Sequence, residues 1–246
     1  MGGFLQVPTV ENRGILCHAS NPFQLYHRLE ETIMLKFLSF AFALCTLQYV
    51  GNFPAVAVAD DIVIAAAPEK TSPLKVGQQV PELTLTSTSS EGVSLSSLHK
   101  DKPVVLVFFR GGWCPICSRH TAELIKAYPE IQKLGAELVA ISPDSAESSK
   151  ANIEKNSIPF AVYSDSKVQA AGAFGLAFKV DDATVTKYKG FGIDLEKASG
   201  QPHHALPIPA VYIVDKSGKI TFAHSNPDYR QRLETKTIIA ELQKLN

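Results

Sequence analysis

"PVVLVFFRGGWCPICSRH", residues 103–120, joins an uninterrupted apolar run to two cysteines placed just behind the only tryptophan of the chain. A short continuous run such as "PVVLVFF", 103–109, reads as a central strand buried on both faces. Leu124, Ile125, Tyr128 and Ile131 then recur at helical spacing, with Pro129 expected to kink the helix. This strand-to-helix junction sets Cys114 at a helix N-terminus and Pro115 at the first helical position, where its missing N–H costs nothing. Unpaired N–H groups and the positive dipole end favour a thiolate there. Cys117 lies one turn on, on the same face and within the separation a disulfide spans.

The rest of the pattern is built around this junction. "ELTLTSTSSEGVSLSSL", 82–98, alternates apolar and polar residues around Glu91-Gly92 and predicts a β-hairpin. "AELVAIS", 136–142, is a second buried strand, followed by a Ser/Asp cap and a polar helix to about Lys155. "FAVYSD", 160–165, is a third strand, with a short helix in "SKVQAAGAFGLAF" after it. Residues 179–206 show no strong pattern and read as a Gly-containing loop long enough to carry a functional role. "AVYIVDKSGKITFA" predicts a hairpin turning at Lys216-Ser217-Gly218, and a last helix places Ile238, Ile239, Leu242 and Leu245 on one face. The expected fold class is α/β, with a mixed central sheet flanked by helices.

The N-terminal region has a different composition. From Phe37 to Ala59 there is no charged residue, "MLK" precedes an apolar run, and Ala57 and Ala59 stand at the small-residue positions of a cleavage site. That layout reads as a signal peptide over 34–59, with an uncleaved membrane anchor or a core helix as alternatives. Residues 1–33 then read as an unstructured upstream extension, 60–75 as a linker and 76–246 as the folded domain. An exported, extracytoplasmic protein is the consequence, either free or anchored to a membrane. Of the four cysteines only Cys114 and Cys117 would remain after cleavage.

The 24 basic and 24 acidic residues are interspersed and sum to a net charge of zero, so nothing favours nucleic acid. Three chemistries suit the cysteine pair: a redox dithiol, a metal clip, or inert thiols. Haem attachment is excluded because Ser118, not His, follows Cys117. A zinc site needs two further ligands, and His120 lies well round the helix from Cys114. Copper held by a dithiolate stays open. No cofactor is called for.

With these residues placed, the chain resembles the thioredoxin superfamily, and more closely the peroxiredoxin-like branch of the alkyl hydroperoxide reductase/thiol-specific antioxidant family. The resemblance runs from about Val76 to Leu245 through "FFRGGWCPICSRHTAEL", "LVAISPDS", "LPIPAVYIVDKSGKI" and "DYRQRLETKTIIAEL". It implies a thioredoxin-like fold, a small hydroperoxide as substrate, a redox-active disulfide between Cys114 and Cys117, and an external thioredoxin-like dithiol as reductant. A Pro-x-x-x-Thr-x-x-Cys register places the peroxidatic position on Cys117, Cys114 at the Thr and Arg110 at the Pro, while the hairpin register puts Pro209 where an Arg is expected. The same resemblance implies a cis Ile208-Pro209 bond beside the dithiol, as in thioredoxins. Trp113, Pro209, Arg110 and Arg119 are the expected neighbours of the cysteines, with His204 a further candidate donor. A thioredoxin-like oxidoreductase of exported proteins and a thioredoxin-fold metal-binding module are the competing functions.

Overall fold

The computed structural model describes residues 62–245; the expected signal peptide and upstream extension lie outside them. The strands are β1 (Thr84–Thr86), β2 (Gly92–Ser94), β3 (Val104–Phe108), β4 (Glu137–Ser142), β5 (Ala161–Ser164), β6 (Ala177–Lys179), β7 (Ala205–Pro207), β8 (Ala210–Val214) and β9 (Ile220–Ser225). The helices are α1 (Leu95–His99), α2 (Pro115–Lys133), α3 (Ala146–Asn156), α4 (Gln169–Ala173), α5 (Asp182–Gly190), α6 (Leu195–Ser199) and α7 (Thr235–Gln243). Seven strands form one mixed sheet in the order β2-β1-β5-β4-β3-β8-β9, and β6 pairs with β7 separately.

The apolar run chosen from the sequence is the middle of this sheet. Val104 to Phe108 lie opposite Glu137 to Ile141 in parallel register and opposite Val214 to Ala210 in antiparallel register. Every residue of β3 is buried, which requires cover on both faces. The period of two divides the run accordingly. Val105 and Val107 join Leu124, Ile131, Ile238 and Leu242 beneath α2 and α7, whereas Leu106 and Phe108 join Phe174 and Tyr212 on the other side. Phe174 has no exposed surface, and its ring centroid lies 4.9 Å from Phe108 and 5.2 Å from Tyr212. Truncating it leaves a void between two large rings, so Phe174→Ala should cost about 3–5 kcal/mol. A lower urea midpoint at unchanged slope would be the readout.

Pro129 does not interrupt α2, which is one helix from Pro115 to Lys133 with Pro129 on its exposed face. At the hairpin between β8 and β9, Asp215 accepts the Ser217 and Lys219 N–H groups at 2.8 and 3.1 Å. Gly218 there takes φ +83°.

Two segments differ from the sequence expectation. Residues 65–74 are tied to the domain: Ala65 N–H donates to Ala177 O at 2.9 Å, Ser72 N–H to Gly175 O at 3.0 Å and Leu74 N–H to Phe174 O at 3.1 Å. Ala- and Pro-rich composition carries no periodic signal, but its backbone groups can still pair with an open edge. Residues 179–206 are not a plain loop, since they hold α5, α6 and β7. Val185 is the only buried residue of α5, so no apolar stripe marks it. Asp181 and Asp194 cap the two helices by accepting the Thr184 and Lys197 N–H groups.

Candidate active site

Cys114 ends the turn leaving β3 and occupies the N-cap of α2, with Pro115 the first helical residue. Gly111 makes the turn possible. Its φ is +142°, and a Cβ would come within 2.3 Å of Trp113 Nε1 and 2.6 Å of Asp144 Oδ1. Gly112 N–H donates to Asp144 Oδ2 at 2.7 Å, which fixes the turn to the end of β4.

Cys114 and Cys117 are both free thiols, 1% and 2% exposed. Their environments separate them. The Cys114 thiol is lowered to about 6, chiefly because the Cys117 thiol donates to it, with the Cys117 backbone N–H and the Arg110 and Arg232 charges adding to the effect against the opposing cost of burial. Cys117 is pushed well up, by burial first and then by its hydrogen bond to Cys114. The pair thus behaves as a thiolate beside a proton-holding thiol.

Arg232 is the residue that the sequence reasoning missed. It comes from the segment between β9 and α7, where its Nε donates to Tyr229 O at 2.9 Å and its Nη2 lies 3.2 Å from Cys117 Sγ. Nη1 is buried and makes no hydrogen bond within the protein. His120 steadies this segment, because its ring nitrogen Nε2 lies 3.2 Å from Leu233 O. Burial, followed by the Arg232 charge, pushes His120 down to about 4, so it is neutral at neutral pH. The signal was present in "DYRQRLETK", but sequence distance hid its approach to Cys117.

Arg110 and Trp113 lie in the turn that leads into Cys114, and Pro209 precedes β8. Arg110 is 4% exposed and its Nη2 donates to Tyr188 Oη. Trp113 packs on Tyr188 with centroids 5.9 Å apart. Pro209 and Arg110 border one cavity of about 270 Å³, walled also by Phe178, Ile208, Tyr188 and Tyr229. Three expectations are corrected. Arg119 is exposed on α2, since two positions past Cys117 the helix has turned outward. His204 instead pairs with Glu196 of α6 at 2.7 Å. The Ile208–Pro209 bond is trans, as are all described peptide bonds, so the chain enters β8 in the ordinary isomer.

Asp144, buried behind the turn, is raised to about 6 by its burial, which outweighs the Gly112 N–H that it accepts. Among the described residues no three His, Cys, Asp or Glu side chains come together as a metal ligand set.

The family model described as AhpC/TSA family matches residues 76–223. A chloroplastic peroxiredoxin Q of Sedum lineare is 31% identical over 150 residues, covering 61% of this chain and 68% of the relative. The peroxiredoxin Q of Triticum aestivum is likewise 31% identical, and the match spans 58% of its length. Among solved structures, reduced Prx3 of Vibrio vulnificus in complex with hydrogen peroxide superposes with TM-score 0.57 at 21% identity, covering 69% of this chain and 99% of that one. Peroxidoxin BcpB of Mycobacterium tuberculosis gives TM-score 0.54 at 20% identity, covering 70% and 99%. These structural likenesses establish the thioredoxin-like fold.

The expectation of an extracytoplasmic protein is corrected by the same comparison, because the relatives are chloroplastic proteins. Among the described residues no helix is long and apolar enough to cross a membrane. An uncharged apolar stretch ending in small residues reports hydropathy and not destination, and it misled for that reason. The redox reading therefore rests on the geometry of the pair and not on an oxidising compartment. Fold, matched span and relatives agree: the chain belongs to the AhpC/TSA family, the peroxiredoxins of the thioredoxin superfamily.

Proposed function

We propose that this chain is a thiol-dependent peroxidase whose reacting groups are Cys114 and Cys117. The observation that carries the reading is the polarised thiol pair at the start of α2 with the guanidinium of Arg232 against it. The Cys114 thiolate attacks one peroxide oxygen, the O–O bond breaks, and the leaving alkoxide or hydroxide takes up a proton. The spare Nη1 donor of Arg232 supplies positive charge where negative charge develops on that oxygen. Cys117 then attacks the Cys114 sulfenic acid, losing its proton as water departs, and the disulfide closes. An external thioredoxin-like dithiol restores both thiols by exchange.

One observation favours the opposite order of attack, because Arg232 Nη2 lies 3.2 Å from the Cys117 sulfur. The lower thiol pKa of Cys114 outweighs it, since only the thiolate is nucleophilic.

Stopped-flow oxidation by hydrogen peroxide tests the function. The second-order rate should exceed that of a free thiol of equal pKa, and a rate no faster would sink the peroxidase reading. The pH profile should rise with a midpoint near the Cys114 value of about 6 and level off above it, because acid protonates the nucleophile.

A further inference from the structure

Arg110 is buried, yet none of the ion pairs among the described residues involves it. A buried guanidinium ordinarily finds a carboxylate, since desolvating an unpaired charge is expensive. Aromatic rings from three separate segments surround it instead. Its Cζ lies 5.2 Å from the Trp113 centroid, 5.5 Å from Tyr188 on α5 and 4.1 Å from Tyr229 in the segment that carries Arg232. The Tyr188 hydroxyl accepts from Nη2, while Nε is buried and makes no hydrogen bond.

The difference between rings and a carboxylate matters here. Ring faces attract a cation but carry no net charge, so they hold the guanidinium without cancelling its field. A carboxylate in the same place would hold it equally well and remove the field from the dithiol.

We propose that Tyr188 and Tyr229 are positioning residues that fix the uncancelled charge of Arg110 against Cys114 and so set the reactivity of that thiol. The inference rests on Cys114 being the reactive thiol. It gives α5 a role at the dithiol through Tyr188 and Arg110. Four groups face Cys114: Cys117 from its own helix, Arg110 from the end of β3, Arg232 from the segment before α7, and Asp144 from the end of β4. Lys179 and Asp181 line the same cavity as Arg110.

The test is the pH dependence of Cys114 alkylation by iodoacetamide on the reduced full chain, with the modified residue identified by mass spectrometry. Asp144→Asn is included as a parallel background because Asp144 titrates in the same range. Tyr229→Leu and Tyr188→Phe should each raise the midpoint by about half a unit, a threefold loss of thiolate at a fixed pH below it. Tyr229→Phe keeps the ring and should restore the wild-type midpoint. In an Arg110→Gln background, which raises the midpoint alone, neither tyrosine change should shift it further. Unaltered midpoints, or shifts that add in full without Arg110, would overturn the inference. Tyr188→Phe preserves ring and volume, so its result stands even if Tyr229→Leu does not fold. No peroxide enters this measurement: a chain that fails to consume peroxide while showing these shifts overturns the function and leaves the positioning intact.

Discussion

Replacing Cys114 with Ser is expected to abolish peroxide turnover, with steady-state activity falling on the order of 10³-fold or more, since a hydroxyl cannot stand in for the thiolate. Cys117→Ser should also stop turnover with a thioredoxin recycling system, but for a different reason. Its Cys114 still attacks, so one equivalent of peroxide should be consumed and a dimedone-trappable sulfenic acid should collect on Cys114. The two variants thus separate attack from resolution. The physical basis is that burial holds the Cys117 proton in place while the Cys117 hydrogen bond draws the proton off Cys114. Peptide mapping checks the assignment directly. Sulfenic acid on Cys117 in the Cys114→Ser protein, formed as fast as in wild type, would reverse the order of attack.

Removing the charge of Arg232 should have the next largest effect. Arg232→Met keeps much of the aliphatic stem but takes away both the donor near Cys117 Sγ and the buried Nη1. If Nη1 meets the leaving oxygen, the second-order rate with peroxide should fall by about 10²–10³-fold. Loss of the thiolate's electrostatic support alone would be recovered by raising the pH, whereas loss of the donor to the leaving oxygen would not. The rate should therefore stay depressed on the high-pH plateau. Arg232→Lys should recover only part of it, because an ammonium is a point charge and cannot keep the fork that also bonds Tyr229 O. A plateau rate equal to wild type for Arg232→Met would assign the residue to packing alone.

In the proposed mechanism Arg232 takes the part of a charge that the family pattern expects at the hairpin. The hairpin position expected to carry an Arg holds Pro209. The positive charge arrives from the segment before α7, which His120 ties to α2 through Leu233. Reading one aligned position at a time misses a guanidinium that another part of the chain brings to Cys117.

Much of the frame was legible from residue order. An apolar run without alternation, a proline at the first helical position and two cysteines one turn apart specify a buried strand, a helix start and a thiol pair by local rules of pleat, propensity and dipole. The alternating pattern around Glu91-Gly92 and the turn at Gly218 are local in the same sense. α5 and α6 were hidden because only a residue or two of each faces the core, and Asp181 and Asp194 alone announce them as caps. The N-terminal apolar stretch showed its hydropathy, from which a destination could not be read.

Only the tertiary structure decided which charges meet the dithiol. Arg119 is two residues from Cys117 and turns to solvent, while Arg232, far away in sequence, lies 3.2 Å from its sulfur. Local spacing determines the direction a side chain takes from its own helix, which is why Cys114 and Cys117 could be paired from sequence alone. It says nothing of what a distant segment brings to that face. The rings around Arg110 and the guanidinium beside Cys117 come together from segments far apart in sequence, and they add to a separation of the two thiols that their mutual hydrogen bond and burial set first.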